Sequence, residues 1–286
     1  MKPLSISKLQ KRPQPGRSVN SPILNSMKKF ISICFSAFIL LMHVSFSCSK
    51  TGKLHVASET VGPIETNCYL LYELPSRDAA IFDVAGPLDS LQGIIKENNL
   101  LLKYIFITHA HWDHVEGIFD LIDNFPEAKV CISKEEYTAM QEYTGFARKN
   151  NPERFANIMK DSALAKMISV DLGAIKPDIF IKDNEEFELG NSVITSILSP
   201  GHSIGSVCFS CGNFLFSGDV LFFRTVGNTD FYMASRPDLI KSVRRLYRLF
   251  PDSTIVYPGH GQSTDIGSEK LENKYISLLD GKWDIK

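Results

Sequence analysis

A single large α/β sandwich is what the sequence predicts for residues 53–283, and three observations carry that reading. Short apolar runs rich in β-branched and aromatic residues alternate with stretches whose apolar positions recur at helical spacing. The order is strands first, then strands with helices interleaved, then strands again, which suits one layered domain better than two separate ones. No internal repeat or low-complexity linker divides the body. With 44% hydrophobic residues in 286, the chain can bury a sizeable core. Its formal charge of −1 comes with no basic stripe, so no nucleic-acid partner is expected.

Taken in order, Leu54–Ala57, Cys68–Tyr72 and Ala79–Phe82 read as strands. Leu88, Leu91, Ile94 and Ile95 mark a helix over Leu88–Lys96, with Asp89 or Ser90 as its cap. Tyr104–Thr108 is a buried strand, Val115–Asp123 a helix, and Val130–Ile132 a strand. Ser133 is placed to cap a polar helical insert over about 134–170, broken near Asn150-Asn151-Pro152. Strands resume at Asp178–Ile181, Ser192–Leu198, Val207–Ser210 and Phe214–Phe216. A helix over Pro237–Leu249, a strand over Thr254–Tyr257 and a helix over Ser268–Leu279 complete the body.

The N-terminus is different in kind. Residues 1–26 are polar and aperiodic, and read as an extension that is either untranslated or disordered, with Met27 the true start. Residues 27–48 read as a signal peptide: Met27-Lys28-Lys29 opens the apolar run Phe30–Val44, shorter than the roughly 20 residues a membrane span needs. Val44-Ser45-Phe46-Ser47-Cys48 resembles a bacterial lipoprotein cleavage site with Cys48 as the lipidated residue. Ser45 replaces the usual Leu and Phe46 is bulky, so ordinary secretion is the rival. The expected location is therefore the periplasm or the outer membrane, with a lipid on Cys48 as the only link to a membrane. In the body, Cys208 and Cys211 have CxxC spacing, yet their odd separation in a strand sends the thiols to opposite faces. They read as ordinary buried cysteines.

The chemistry is concentrated in His109-Ala110-His111-Trp112-Asp113-His114, directly after a buried strand. In an extended segment His109, His111 and Asp113 share a face, with His114 following at the turn. Three imidazoles and a carboxylate in six residues form a ligand set for one or two divalent metals. Two further histidines, His202 and His260, each follow an apolar strand in a Pro-Gly-His sequence, and Asp219 follows the strand Phe214–Phe216. Only His55 of the six body histidines falls outside this pattern, and it reads as a packing or surface residue. Seven nitrogen and oxygen ligands without a thiolate suit zinc, and also iron or manganese.

This set resembles the metallo-β-lactamase superfamily over most of the body, Lys53 to about Tyr275. The resemblance implies an αββα sandwich in a single large domain, with the metal site on loops at one sheet edge. It assigns His109, His111 and His202 to one metal and Asp113, His114 and His260 to a second, with Asp219 and a hydroxide bridging them. Asp83 matches an early aspartate that supports the site without ligating. Asp219 stands where antibiotic-hydrolysing members carry Cys or Ser, which disfavours β-lactams. Val61-Gly62-Pro63, Asn67-Cys68-Tyr69, Gly218–Phe222 and Tyr257–Gly261 are most similar to glyoxalase II-like hydrolases. The chain departs from these at Asn228, where their Gly-Arg-Thr-Asp element has arginine. It also departs after His260, where 26 residues leave no room for a glutathione-binding domain and Gly261-Gln262 lack the substrate-contacting tyrosine.

The implied activity is hydrolysis of a thioester or related carboxylic ester by a metal-bridging hydroxide, with two divalent ions, zinc first, as cofactors and Asp113 and Asp219 relaying the proton. Its partner is a small-molecule substrate. A thiolate, with a thiol pKa of about 8.5, leaves without a strong general acid. Export argues against cytosolic thioesters, and a lactone or phosphodiester fits the same ligands. An oxidoreductase of the mononuclear-iron, persulfide-dioxygenase kind is the rival class, because its three ligands are a subset of these seven. Flavodiiron relatives carry Glu where His111 stands and append a flavodoxin domain. Substrate identity and oligomeric state are left open by the sequence. N-terminal sequencing of the unprocessed protein should begin at Met27; an unprocessed form beginning at Met1 would overturn that start.

Overall fold

In the computed structural model, which describes residues 52–150 and 152–276, the chain opens as an antiparallel meander. It consists of β1 (Lys53–Val61), β2 (Thr66–Leu74) and β3 (Asp78–Phe82). Three strands then add in parallel: β4 (Leu101–Phe106), β5 (Lys129–Ser133) and β6 (Ile179–Ile181). Parallel pairing demands crossover connections, and helices supply them. These are α1 (Asp89–Glu97), α2 (Ile118–Asn124), and the series α3 (Lys134–Asn150), α4 (Pro152–Ile158) and α5 (Ser162–Met167).

The second sheet repeats the plan. A meander of β7 (Glu186–Leu189), β8 (Ser192–Leu198), β9 (Val207–Cys211) and β10 (Phe214–Gly218) comes first. A short hairpin, β11 (Leu221–Phe222) and β12 (Thr225–Val226), leads to α6 (Arg236–Leu249). That helix carries the chain back to β13 (Ile255–Pro258), parallel to β10, and β14 (Thr264–Asp265) and α7 (Ile266–Glu272) follow. The six-stranded sheets run β1 to β6 and β14-β13-β10-β9-β8-β7.

Burial sorts into three apolar layers. The middle one joins Tyr69, Leu71, Phe82 and Phe106 of the first sheet to Phe187, Ile194, Phe209 and Phe216 of the second. Its centre is a stack of rings: Phe82 lies parallel to Phe216 at 3.9 Å, and Phe106 packs on Phe209 at 4.6 Å and edge-on to Phe187 at 4.9 Å. The outer face of the first sheet is covered by α1, α2 and α3, and that of the second by α6. The result is four layers, αββα in one large domain, as the resemblance implies. Cys208 lies in the α6 layer and Cys211 between the sheets, both as free thiols, so the odd spacing does separate them. His55 stacks on Tyr72 at 5.0 Å, a packing role.

Several local expectations are corrected. Neither Asp89 nor Ser90 caps α1; the Glu59 carboxylate of β1 accepts the N–H groups of Ser90 and Leu91, a long-range substitute for a local cap. The metal-motif strand starts earlier, at Leu101, and ends at Phe106, so His109 to Asp113 are not extended throughout. Trp112–His114 is a 3₁₀ turn, which turns Asp113 away from the His109–His111 face. α2 begins at Ile118 and not at Val115, because Gly117 first crosses the Gly86 backbone, where any Cβ would overlap the carbonyl oxygen. β7 was not anticipated, although its alternating exposure is the ordinary signature of a strand with one buried face. The last helix starts two residues early on an Asp265 cap whose carboxylate accepts the Ser268 N–H at 2.7 Å. It also ends early, at Glu272 with Asn273 as its C-cap, and residues 273–276 are not helical; the remainder of its expected span, with the signal segment and Cys48, lies outside the described residues.

One buried acid ties the sheets together at the edge away from the meander turn of β1 and β2. Glu73 accepts the Asn191 N–H with both oxygens (2.9 and 3.0 Å) and the Ser192 hydroxyl at 3.3 Å. Glu73→Ala should therefore lower unfolding stability by about 2 kcal/mol, measured by urea denaturation, with the midpoint shifting and the slope unchanged.

Candidate metal centre

Strand direction decides which loops meet. β8, β10 and β13 point the same way, since β9 runs antiparallel between β8 and β10 while β13 is parallel to β10. Their C-terminal ends carry His202, Asp219 and His260. β3 and β4 are likewise parallel and end just before Asp83 and the His109–His114 turn. The two edges are joined directly. The Val207 N–H donates to the Thr108 carbonyl at 2.8 Å, and the Asn67 N–H donates to the Gly259 carbonyl at 2.7 Å.

All seven candidate ligands are brought together. His109, His111 and His202 present ring nitrogens to one another: His111 Nδ1 lies 3.0 Å from both His109 Nε2 and His202 Nε2. Asp113, His114 and His260 form a second group, with Asp113 Oδ2 at 3.1 Å from His114 Nε2 and 3.3 Å from His260 Nε2. Asp219 reaches both. Its Oδ2 is 3.4 Å from His202 and 3.6 Å from His260, and its Oδ1 is 3.4 Å from His114. Gly259 makes this possible, because a Cβ there would overlap Asp219 Oδ1 and crowd the His114 ring.

The other nitrogen of most of these rings is already spent. Asp83, with positive φ (61°), accepts the Thr108 N–H and hydroxyl, each at 2.8 Å, and the His114 Nδ1–H at 2.8 Å. Since the Thr108 proton goes to Asp83, its oxygen accepts from His109 Nδ1 at 3.0 Å. His202 Nδ1–H donates to the Asn228 carbonyl at 2.7 Å and His260 Nδ1–H to the Glu65 carbonyl at 3.3 Å. Four Nε2 lone pairs are thereby aimed inward, the arrangement in which histidines ligate metals.

The electrostatics fit a cation. Burial, then His114, His111 and His202, hold His109 well below the ordinary imidazole range; burial, then His202, pushes His111 down to about 3. Both are neutral donors at pH 7. Burial raises the carboxyls of Asp113 and Asp219, but His114 and its neighbours outweigh it, leaving Asp113 well below its usual range and Asp219 at about 2. Burial opposes charge on His114 too, yet Asp113, Asp219 and Asp83 raise it well above normal. Three carboxylates around one imidazole favour a positive charge at this position. His114 Nε2 and Asp219 Oδ1 are buried without a hydrogen bond. Such orphaned atoms are costly unless a metal or another partner claims them.

The model of the metallo-beta-lactamase superfamily matches residues 61–260. The chain belongs to that superfamily. Among its relatives, hydroxyacylglutathione hydrolase GloC of Haemophilus influenzae is 29% identical over 220 residues, covering 76% of this chain and 95% of that one. The BLEG-1 B3 metallo-beta-lactamase structure superposes with a TM-score of 0.64 at 29% identity, covering 78% of this chain and 99% of that one. TTHA1623, solved in a di-iron-bound form, gives a TM-score of 0.61 at 25% identity, with 77% and 100% covered. The chain is thus a metal-dependent hydrolase-superfamily protein with a His/Asp metal-binding cluster.

Sequence reasoning missed the residue that clamps the cluster. Glu136, buried on the first turn of α3, accepts the Ala110 N–H with Oε2 at 2.9 Å and the Gly205 N–H with Oε1 at 2.8 Å. One carboxylate thereby holds the His109–His111 loop against the loop after His202. The spacing Ser133-x-x-Glu136 is that of a capping box, and Ser133 Oγ does accept the Glu136 N–H at 3.2 Å. The acid, however, reaches across to the two metal loops. Thr66 was missed likewise: its hydroxyl donates to Asp113 Oδ2 at 2.9 Å. Glu136→Ala should weaken metal affinity by roughly 10–100-fold, the usual effect of removing an outer support, read by competition with a chromophoric chelator.

Proposed function

We propose that this protein is a binuclear metal-dependent hydrolase of a thioester or related carboxylic ester. One observation carries the reading: two three-residue donor groups, His109/His111/His202 and Asp113/His114/His260, are spanned by the single carboxylate of Asp219. Each group would hold one divalent ion, zinc by preference and iron or manganese as alternatives. Ions bound there supply a water acidic enough to attack at neutral pH and polarise the substrate carbonyl.

The chain's own part is orientation and proton handling. Asp83, through Thr108 and His114, fixes two rings, and the Asn228 and Glu65 carbonyls fix two more. Asp113 and Asp219, kept ionised by the histidines around them, would hold and relay the proton of a water activated at the bound ions. A thiolate leaves with little help, which favours a thioester. Similarity to GloC supports this substrate class, and similarity to BLEG-1 adds β-lactams to the panel of compounds worth testing. Residues 27–48 are proposed to export the protein, with Cys48 as its lipid anchor. An exported enzyme meets lactones and esters more readily than cytosolic thioesters.

Elemental analysis of protein purified from Cys48 onward, without added metal, should give about two zincs per chain. A single iron would redirect the assignment to dioxygen chemistry. Asp219→Ala should lose one of the two ions and lower kcat/KM by more than the roughly 10–100-fold cost of an outer support. Near wild-type turnover in that variant would refute the bridging role.

A further inference from the structure

Both ends of the metal cluster open onto apolar side chains. Phe231 is 41% exposed, yet its ring stands edge-on to His111 and His202, with centroids 4.9 and 5.5 Å away. At the other end Phe222 packs edge-on to His260 at 6.1 Å. Ile64, 44% exposed, precedes Glu65, whose carbonyl holds the His260 ring.

The Phe231 loop is tied down on both sides. The Asn228 carbonyl holds His202, the Ser235 N–H donates to the Gly201 carbonyl at 2.7 Å, and the Tyr232 hydroxyl donates to Glu142 on α3 at 2.8 Å. Leaving apolar area in water forgoes about 25 cal/mol per Å². An aromatic ring held in water beside two ligand histidines has no folding reason to stay uncovered. A bound molecule reaching the metals would cover it.

Charge narrows the class of that molecule. The apolar positions have exposed acids as sequence neighbours, Glu65 beside Ile64 and Asp230 beside Phe231. The hairpin's guanidinium, Arg224, is turned into Glu269 at 2.6 Å and Glu272 at 3.0 Å. A substrate with an anionic tail would approach like charge at both ends of the cluster.

We propose that this mouth accepts an uncharged carboxylic ester or thioester whose apolar group, several carbons long, lies between Phe231 and Phe222. The inference rests on the hydrolase reading above and names its substrate class. Two measurements on the zinc-loaded protein and its Phe222→Ala/Phe231→Ala variant test it. In the first, kcat/KM is compared for p-nitrophenyl acetate, p-nitrophenyl octanoate and lactoylglutathione. The octanoate should exceed the acetate by at least about tenfold, and the variant should bring that ratio toward one through KM. In the second, calorimetric titration should show octanoate binding at least about tenfold tighter than acetate, with the gain lost in the variant. Octanoate binding no tighter than acetate, or a preference for lactoylglutathione, overturns the inference. If no ester is turned over but ring-dependent octanoate binding persists, the hydrolase reading fails and the apolar mouth stands.

Discussion

Five imidazoles and three carboxylates are buried or half-buried in one cleft, and the lone pairs of several of them point at each other. Such a group does not assemble by itself. Neutral ring nitrogens facing one another gain nothing without a cation, and clustered carboxylates repel and resist desolvation. The rest of the molecule is arranged to hold these groups in place against that cost. The reward is a site poised for metal, in which the binding event need not reorganise the protein.

The holding is done in shells. Innermost, Asp83, Thr108 and two backbone carbonyls occupy the outward ring nitrogens, which fixes tautomer and orientation together. Beyond them Glu136 clamps two loops with one carboxylate, and the Asn67 amide donates to the Pro258 and Gly261 carbonyls either side of His260. Farther out, the ring stack of Phe82, Phe106, Phe209 and Phe216 cements the two sheets whose strand ends carry the loops. Apolar burial between the sheets offsets what polar convergence at their edge costs. α3 serves two levels at once: it covers the first sheet, and its first turn delivers Glu136 to the site.

Much of this was legible in the sequence. Strand-end histidines and aspartates, two of the histidines in Pro-Gly-His segments, stand out because loops after buried strands are where a layered fold exposes chemistry. All seven candidate ligands meet in the structure, and the single layered α/β body follows from the order of its apolar runs, while the αββα arrangement was what the resemblance to the superfamily implied. What misled was local geometry. The alternation rule placed His109, His111 and Asp113 on one face, but the strand stops at Phe106 and a 3₁₀ turn sends Asp113 to the opposite donor group. The cap of α1 is Glu59, thirty-one residues before Ser90, which no local motif could announce.

The sequence by itself determined which side chains are candidate donors and that the body is a layered α/β domain, because both are written in residue type and short-range period. Only the tertiary structure decided which donors pair, that Asp219 reaches both groups, that Glu136 is a clamp and not a surface acid, and that Phe231 and Phe222 pack on the histidines at the two ends of the cluster. These are contacts between residues tens to more than a hundred positions apart. Their distances are set by how two sheets pack and where strand directions bring loops together, and neighbouring residues along the chain carry no record of that.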